Sequence, residues 1–289
     1  NQLSEIKKLI SPEKKVVIIT HYNPDGDAIG SALGLKHFLN NMGVEPTVLA
    51  PNDFPKFLKW MPDAKKVVIA EYKRKTAGEA IYKADVIFCL DFNAHNRIGI
   101  LGDWLMKSWA KKILIDHHQQ PEDFDYVYSD VTIPATCQMV YHFIEALGRE
   151  DLVDQNVAEC LYTGIMTDTG GFRFRSTSAT THRIVANLIE KGANPAMITS
   201  NTWDTNSVSR LHLLSLILGR IELVKDGKVA VLYLKREELK EFGFEKGDTE
   251  GFVNYGLSIA GTKMAAFFME DLHEDYIKIS FRSKDDVDT

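Results

Sequence analysis

Apolar and polar positions alternate in blocks along the first 120 residues, and several apolar blocks stop at an acid or an imidazole. Val16-Val17-Ile18-Ile19 is a β-branched run of strand length and reads as a buried strand. After the turn-forming Asn23-Pro24 and Gly26, residues 28–42 carry helical periodicity, with Gly43 as a stop. A short amphipathic helix over 3–10 precedes this unit. Further strands are expected at 44–50, 67–70, 86–90 and 112–115, with helical segments at 73–83 and around 98–109. Strand and helix in alternation predict a doubly wound, mostly parallel sheet with helices on both faces.

The grammar then turns helical, with helices expected over 134–147, 154–167 and 178–191. The last has Ser178 or Thr177 as a cap and Gly192 at its exit. Periodicity weakens over 193–205, and the helix at 208–218 is almost wholly apolar, a candidate interdomain or subunit contact. Beyond Arg220, strands at 221–225 and 229–234 flank Asp226-Gly227, a strong hairpin signal, and two more are expected at 263–270 and 276–282. The expected fold class is α/β: a first domain over 1–191, a linker over 192–212, and a smaller mixed α/β domain over 213–289.

With 45% hydrophobic and 26% charged residues, the composition is that of an ordinary globular protein. No apolar run is long enough to cross a bilayer and no leader is visible, so a cytoplasmic protein without a membrane partner is expected. Cys89, Cys137 and Cys160 are odd in number and lie in apolar segments, which fits reduced core thiols rather than disulfides or a zinc site. The net charge of −6 argues against tracking long nucleic acid by phosphate neutralisation. Anionic substrates would need a local attractor, such as bound metal ions.

Candidate chemistry gathers where apolar runs end: Ile19 precedes His21, Leu90 precedes Asp91, and Ile115 precedes Asp116-His117-His118. In an open α/β sheet the ligand crevice lies beyond the carboxyl ends of the strands, so these groups would converge. Asp25 and Asp27 follow His21, and Asp168 ends a helix before Thr169-Gly170-Gly171. Taken singly, each has an ordinary alternative as a helix cap or a hydrogen-bonded structural group. Their joint placement at element ends is harder to obtain by chance. Arg173 and Arg175 alternate with Phe172 and Phe174 as on an exposed strand, where a core role for phenylalanine outweighs base stacking. His37, His95, His142, His182, His212 and His273 show no partner pattern.

The triplet Asp116-His117-His118, with HYNPDGD, Asp91 and TDTGGFRF in the same order, resembles the DHH phosphoesterase superfamily. Within it the similarity is to the nanoRNase type, the bifunctional oligoribonuclease and pAp phosphatases. It covers nearly the whole chain, since residues 250–259 and Phe281-Arg282-Ser283-Lys284 are similar to the DHH-associated C-terminal domain.

The resemblance implies two divalent metal ions, usually manganese. His21 and Asp25 would hold one, and Asp27, His117 and Asp168 the other, with Asp91 bridging. His118 would face the substrate phosphate or leaving group as a catalytic residue beside Asp91, and Asp116 would orient the histidine pair. The residue types suit this chemistry. Carboxylates with an occasional imidazole favour manganese or magnesium, and two ions about 3.5–4 Å apart need a shared carboxylate and can activate a water as nucleophile. Two such ions would also offset four of the six net negative charges.

Substrate selection would belong to the second domain, closing over the metals. Arg282, Ser283 and Lys284 are candidates to grip a terminal phosphate, and Arg97 a further one beside Asp91. The expected substrates are short oligoribonucleotides and 3′-phosphoadenosine 5′-phosphate. Rivals are a cyclic- or linear-dinucleotide phosphodiesterase and a non-catalytic nucleotide sensor. A homodimer is possible on this reading. The family pattern continues into a glycine-rich, His-containing segment that has no counterpart up to Thr289, so a further segment is expected beyond it.

Overall fold

The computed structural model describes residues 2–245, 247–284 and 287, and the chain divides into two compact units, residues 1–204 and 205–289. In the first, helix α1 (Gln2–Leu9) is followed by β1 (Val16–Ile19), α2 (Gly26–Asn41), β2 (Thr47–Ala50) and β3 (Val68–Ile69). Then come α3 (Arg74–Lys83), β4 (Val86–Leu90), α4 (Ile100–Lys107), β5 (Lys111–Asp116) and β6 (Tyr126–Ser129). Helices α5 (Thr136–Leu147), α6 (Gln155–Asp168), α7 (Ala179–Glu190) and α8 (Pro195–Thr202) complete the unit.

The strands form one parallel sheet in the order β3-β2-β1-β4-β5-β6. The order reverses between β1 and β4, and that switch point is where a doubly wound sheet opens a ligand crevice. Both faces are covered. Val16, Ile18, Val86, Phe88 and Leu90 point into one core with α2, α5 and α6; Val17, Ile19, Ile87 and Cys89 point into the other with α3 and α4. This two-sided burial explains why β1 and β4 are continuous apolar runs rather than alternating ones. Each such side chain contributes about 1.5–3 kcal/mol when fully buried.

Helix α2 lies unusually close to α6. A Cβ on Gly30 would sit 2.6 Å from the Cys160 carbonyl oxygen, and one on Gly164 would sit 2.1 Å from Cys137 Sγ. Only hydrogen fits at either position, and the approach carries the N-terminal end of α2 to the C-terminal end of α6.

The second unit holds α9 (Val208–Gly219), β7 (Glu222–Val224), β8 (Val229–Leu234), α10 (Arg236–Glu241), α11 (Phe252–Leu257), β9 (Met264–Glu270) and β10 (Ile277–Ser283). Its sheet runs β10-β9-β8-β7, with β8 and β9 parallel and the outer pairs antiparallel, a mixed sheet. The β7–β8 hairpin turns through residues 225–228, where Lys225, Asp226 and Gly227 all have positive φ (54°, 54° and 79°) and the Lys228 N–H donates to the Lys225 carbonyl at 3.1 Å. Ala230, Leu232 and Leu234 alternate inward along β8 to meet Leu213, Ile217, Phe252 and Phe267.

Three expectations change. The linker stretch 192–212 is largely helical, holding α8 and the start of α9; Pro195 starts α8 after Asn194 caps it, too short a run for periodicity to show. Strand β6 went unnoticed because its residues are only half-buried at the sheet edge. Residues 169–176 form turns, not a strand, because Gly170, Gly171 and Phe172 have positive φ. Phe172 packs edge-on against Tyr162, while Phe174 is exposed. Among the described residues no helix is long and apolar enough to cross a membrane.

Candidate metal centre

Adjacent strands β1 and β4 deliver His21 and Asp91 to the switch point, and β5, next in the sheet, delivers Asp116, His117 and His118. The chain leaves β1 through a turn fixed by a pair of amides. Asn23, left-handed at φ 55°, donates its N–H to Asn52 Oδ1 at 2.7 Å, and Asn52 Nδ2 donates to Asn23 Oδ1 at 2.8 Å. Asp25 then caps α2, accepting the N–H groups of Asp27 and Ala28 at 3.0 Å each. Asp27 thereby starts the helix facing inward, and Asp168 ends α6 beside it.

The two inner imidazoles share one arrangement. His21 Nδ1 lies 2.8 Å from the Tyr22 carbonyl and His117 Nδ1 lies 3.1 Å from that of Ile133. A carbonyl only accepts, so each Nδ1 carries a proton and each Nε2 is the ring nitrogen turned inward. His21 Nε2 lies 3.5 Å from Asp91 Oδ2 and 3.8 Å from Asp25 Oδ1. His117 Nε2 lies 3.6 Å from Asp91 Oδ1, 3.7 Å from Asp168 Oδ2 and 3.9 Å from Asp27 Oδ2. These separations exceed hydrogen bonds and suit ligands spaced around an ion. Two donor triplets result, His21/Asp25/Asp91 and Asp27/His117/Asp168, each with its ligand atoms within 4.8 Å of one another. Asp91 offers one oxygen toward each.

Charge crowding supports the same fit. Burial pushes the Asp27 carboxyl well above the usual carboxylate range, and the charges of Asp91, Asp168 and Asp25 push the same way. Burial opposes ionisation of Asp91 as well, but the close approach and charge of His21, with the charges of His117 and His118, hold that carboxyl below its ordinary value. Burial would lower His21, yet Asp25 and Asp91 override it and hold the imidazole up at about 11. A pocket whose buried acids oppose one another's ionisation and draw a neighbouring imidazole upward is short of positive charge. Hard cations would supply it, and oxygen with imidazole is the donor set they take.

His118 differs from His117. Its Nδ1–H donates to Asp116 Oδ1 at 2.7 Å, which is the main cause of its raised pKa. It also falls in a donor triplet with Asp91 and His117, but its Nδ1 is 3.8 Å from Asp91 and already committed to Asp116. Its ring is therefore oriented by Asp116, with Nε2 left for another partner. Asp116 is fully buried, and its Oδ2 has no hydrogen-bond partner among the described residues. Arg97 is exposed; its carbonyl accepts the Tyr22 N–H at 2.7 Å, and its charge is near enough to oppose protonation of His118.

Residues 15–165 match the DHH family, N-terminal domain. The chain belongs to the DHH family. It is 30% identical to the bifunctional oligoribonuclease and PAP phosphatase NrnA of Thermus thermophilus, over 99% of this chain and 80% of that protein. To the protein of the same description in Bacillus subtilis it is 25% identical, over 98% of this chain and 86% of that one. The crystal structure of an exopolyphosphatase-related protein from Bacteroides fragilis matches with a TM-score of 0.94 and 40% identity, covering 98% of this chain and 83% of that one. Family and relatives support a hydrolase of phosphoester bonds for this DHH protein.

The second unit places the remaining candidates. Arg282, on β10, lines a cleft with Lys278, Ser280, Asn254 and Thr249. Ser283 and Lys284 do not line it, and the Lys284 ammonium donates to the Leu257 carbonyl.

The sequence reading missed Thr136 and Cys137. Helix α5 starts after Ala135, which has no capping side chain. Its first amides reach instead to Asp27: Thr136 N–H donates to Oδ2 at 2.6 Å and Cys137 N–H to Oδ1 at 2.8 Å. A helix start without a local cap was the available signal, because those amides need an acceptor from elsewhere.

Proposed function

We propose that this DHH-family chain is a manganese-dependent phosphohydrolase acting on short oligoribonucleotides and 3′-phosphoadenosine 5′-phosphate. The observation that carries the proposal is Asp91, buried between two donor triplets with one carboxylate oxygen toward each. His21 and Asp25 would hold one divalent ion, Asp27, His117 and Asp168 the other, and Asp91 would be shared. When bound, the ions would supply Lewis acidity toward the phosphoryl oxygens and a nucleophile available at neutral pH.

The chain's own groups account for the rest. The Tyr22 and Ile133 carbonyls fix the tautomers of His21 and His117, so that both present Nε2. Asp116 holds His118 protonated at Nδ1 and raises its affinity for a second proton, which suits Nε2 to protonate a leaving oxygen. Arg97, close to His118, is proposed to contact a substrate phosphate, and Arg282 of the second unit to hold a terminal one. Ser283 and Lys284 are weaker candidates, since Lys284 is already engaged. Cys89, Cys137 and Cys160 are all buried and free, which fits a reducing cytoplasm.

The test is incubation with manganese and, separately, an RNA dinucleotide, 3′-phosphoadenosine 5′-phosphate and a cyclic dinucleotide, following product. Release of mononucleotide from the first and of phosphate from the second is expected. Tight binding without turnover would overturn the enzyme reading in favour of a sensor. Turnover of the cyclic substrate alone would overturn the substrate assignment.

A further inference from the structure

We infer that Thr136 is a positioning residue that decides how Asp91 is divided between the two donor triplets. Thr136 is fully buried and uses two donors on two different carboxylates. Its hydroxyl donates to Asp91 Oδ1 at 2.9 Å, while its backbone N–H donates to Asp27 Oδ2 at 2.6 Å. A threonine hydroxyl has one proton, and Asp91, with no hydrogen of its own, is the acceptor.

The consequence is geometric. Asp91 sits on left-handed backbone (φ 64°) at the end of β4, and among the described residues the other groups facing its carboxylate are imidazoles 3.5–3.8 Å away. The Thr136 hydroxyl anchors Oδ1 on the His117 side, which turns Oδ2 toward His21. It also occupies one lone pair of Oδ1 and leaves the other for the Asp27/His117/Asp168 triplet. The same residue's amide fixes Asp27 Oδ2, so one residue at the start of α5 sets the distance between a carboxylate of one triplet and the carboxylate shared by both. The inference rests on the two-ion reading of the site, and extends it to the group that makes the sharing possible.

Removing the hydroxyl without changing shape isolates this role. Thr136→Val keeps the backbone N–H to Asp27 and the side-chain volume; Thr136→Ser keeps the hydroxyl and loses a methyl. The full chain, freed of metal and titrated with Mn²⁺, is read by calorimetry and by electron paramagnetic resonance. Wild type and Thr136→Ser are expected to bind two ions and show the spectrum of an exchange-coupled pair. Thr136→Val is expected to lose about 10–100-fold in affinity for one ion and to show the six-line signal of isolated Mn²⁺, with its circular dichroism unchanged. A coupled pair of wild-type affinity in Thr136→Val would refute the positioning role and leave the two-ion reading standing. Absence of a pair in the wild type would overturn both.

Discussion

Gly164 is where packing and site geometry meet, and Gly164→Ala tests whether they are coupled. A methyl there would lie 2.1 Å from Cys137 Sγ, 2.9 Å from Asp27 Oδ1 and 3.0 Å from Asp27 Cα. In an ordinary helix interior the substitution would stabilise by about 0.5–1 kcal/mol. Here overpacking costs about 1–3 kcal/mol and has to move either α5 or α2. The balance is a loss of about 1–2 kcal/mol, or roughly 2–8 °C in Tm for a unit of this size. Because Asp27 is one of the two groups displaced, Mn²⁺ affinity should fall about tenfold or more. Adding Cys137→Ala removes the closest contact and leaves both contacts with Asp27. In the double variant stability should recover in part, and metal affinity should not. Thermal melts of the four metal-free proteins give the coupling energy, expected near 1 kcal/mol, and calorimetric titration gives the affinity. Additive melts, or wild-type affinity in Gly164→Ala, would refute the idea that this close approach sets the position of Asp27.

Asp91→Ala should abolish turnover while the circular dichroism spectrum stays that of the wild type; near-normal turnover would remove Asp91 from its shared position. Arg282→Ala should raise KM for 3′-phosphoadenosine 5′-phosphate more than it lowers kcat, and an unchanged KM would count against a phosphate contact. Asp63 offers a pH test away from the site. Burial would raise its carboxyl, but Lys36 at 2.5 Å and Lys66 at 2.9 Å outweigh it and hold the pKa at about 2. The folded value lies below the unfolded one, so the stabilisation is present above about pH 4 and is lost as pH falls toward 2. Asp63→Asn should therefore cost about 1 kcal/mol at pH 7, after allowance for solvent screening, and progressively less in urea melts as pH falls through about 2. A pH-independent difference would contradict the ion-pair origin.

The parts of the fold readable in the sequence are those with local causes. Val16–Ile19, Val86–Leu90 and Ile113–Ile115 are buried on both faces, so their apolar runs announce strands, and the polar residue just past each run marks the crevice. Asp25 and Ser178 cap helices through their own side chains, a signal carried within three residues. What escaped has causes elsewhere in the chain. Thr136 resembles any residue at the start of a helix until Asp27 and Asp91, more than forty positions away, are brought to it. Nothing in the sequence around Gly30 and Gly164 announces a requirement for glycine, and only the approach of α2 to α6 shows why a side chain is excluded. Phe172 and Phe174 alternate like strand residues, but the positive φ at Gly170, Gly171 and Phe172 folds that stretch into turns. The order of motifs conveyed the family, while the division of labour between His117 and His118 emerged only from their Nδ1 partners, the Ile133 carbonyl and the Asp116 carboxylate.

Anomalous diffraction from crystals soaked in Mn²⁺ tests the central claim most directly. Two peaks about 3.5–4 Å apart are predicted, one against His21 and Asp25, the other against Asp27, His117 and Asp168, with Asp91 touching both. A single peak that leaves Asp91 out, or ions bound only at surface carboxylates, would contradict it.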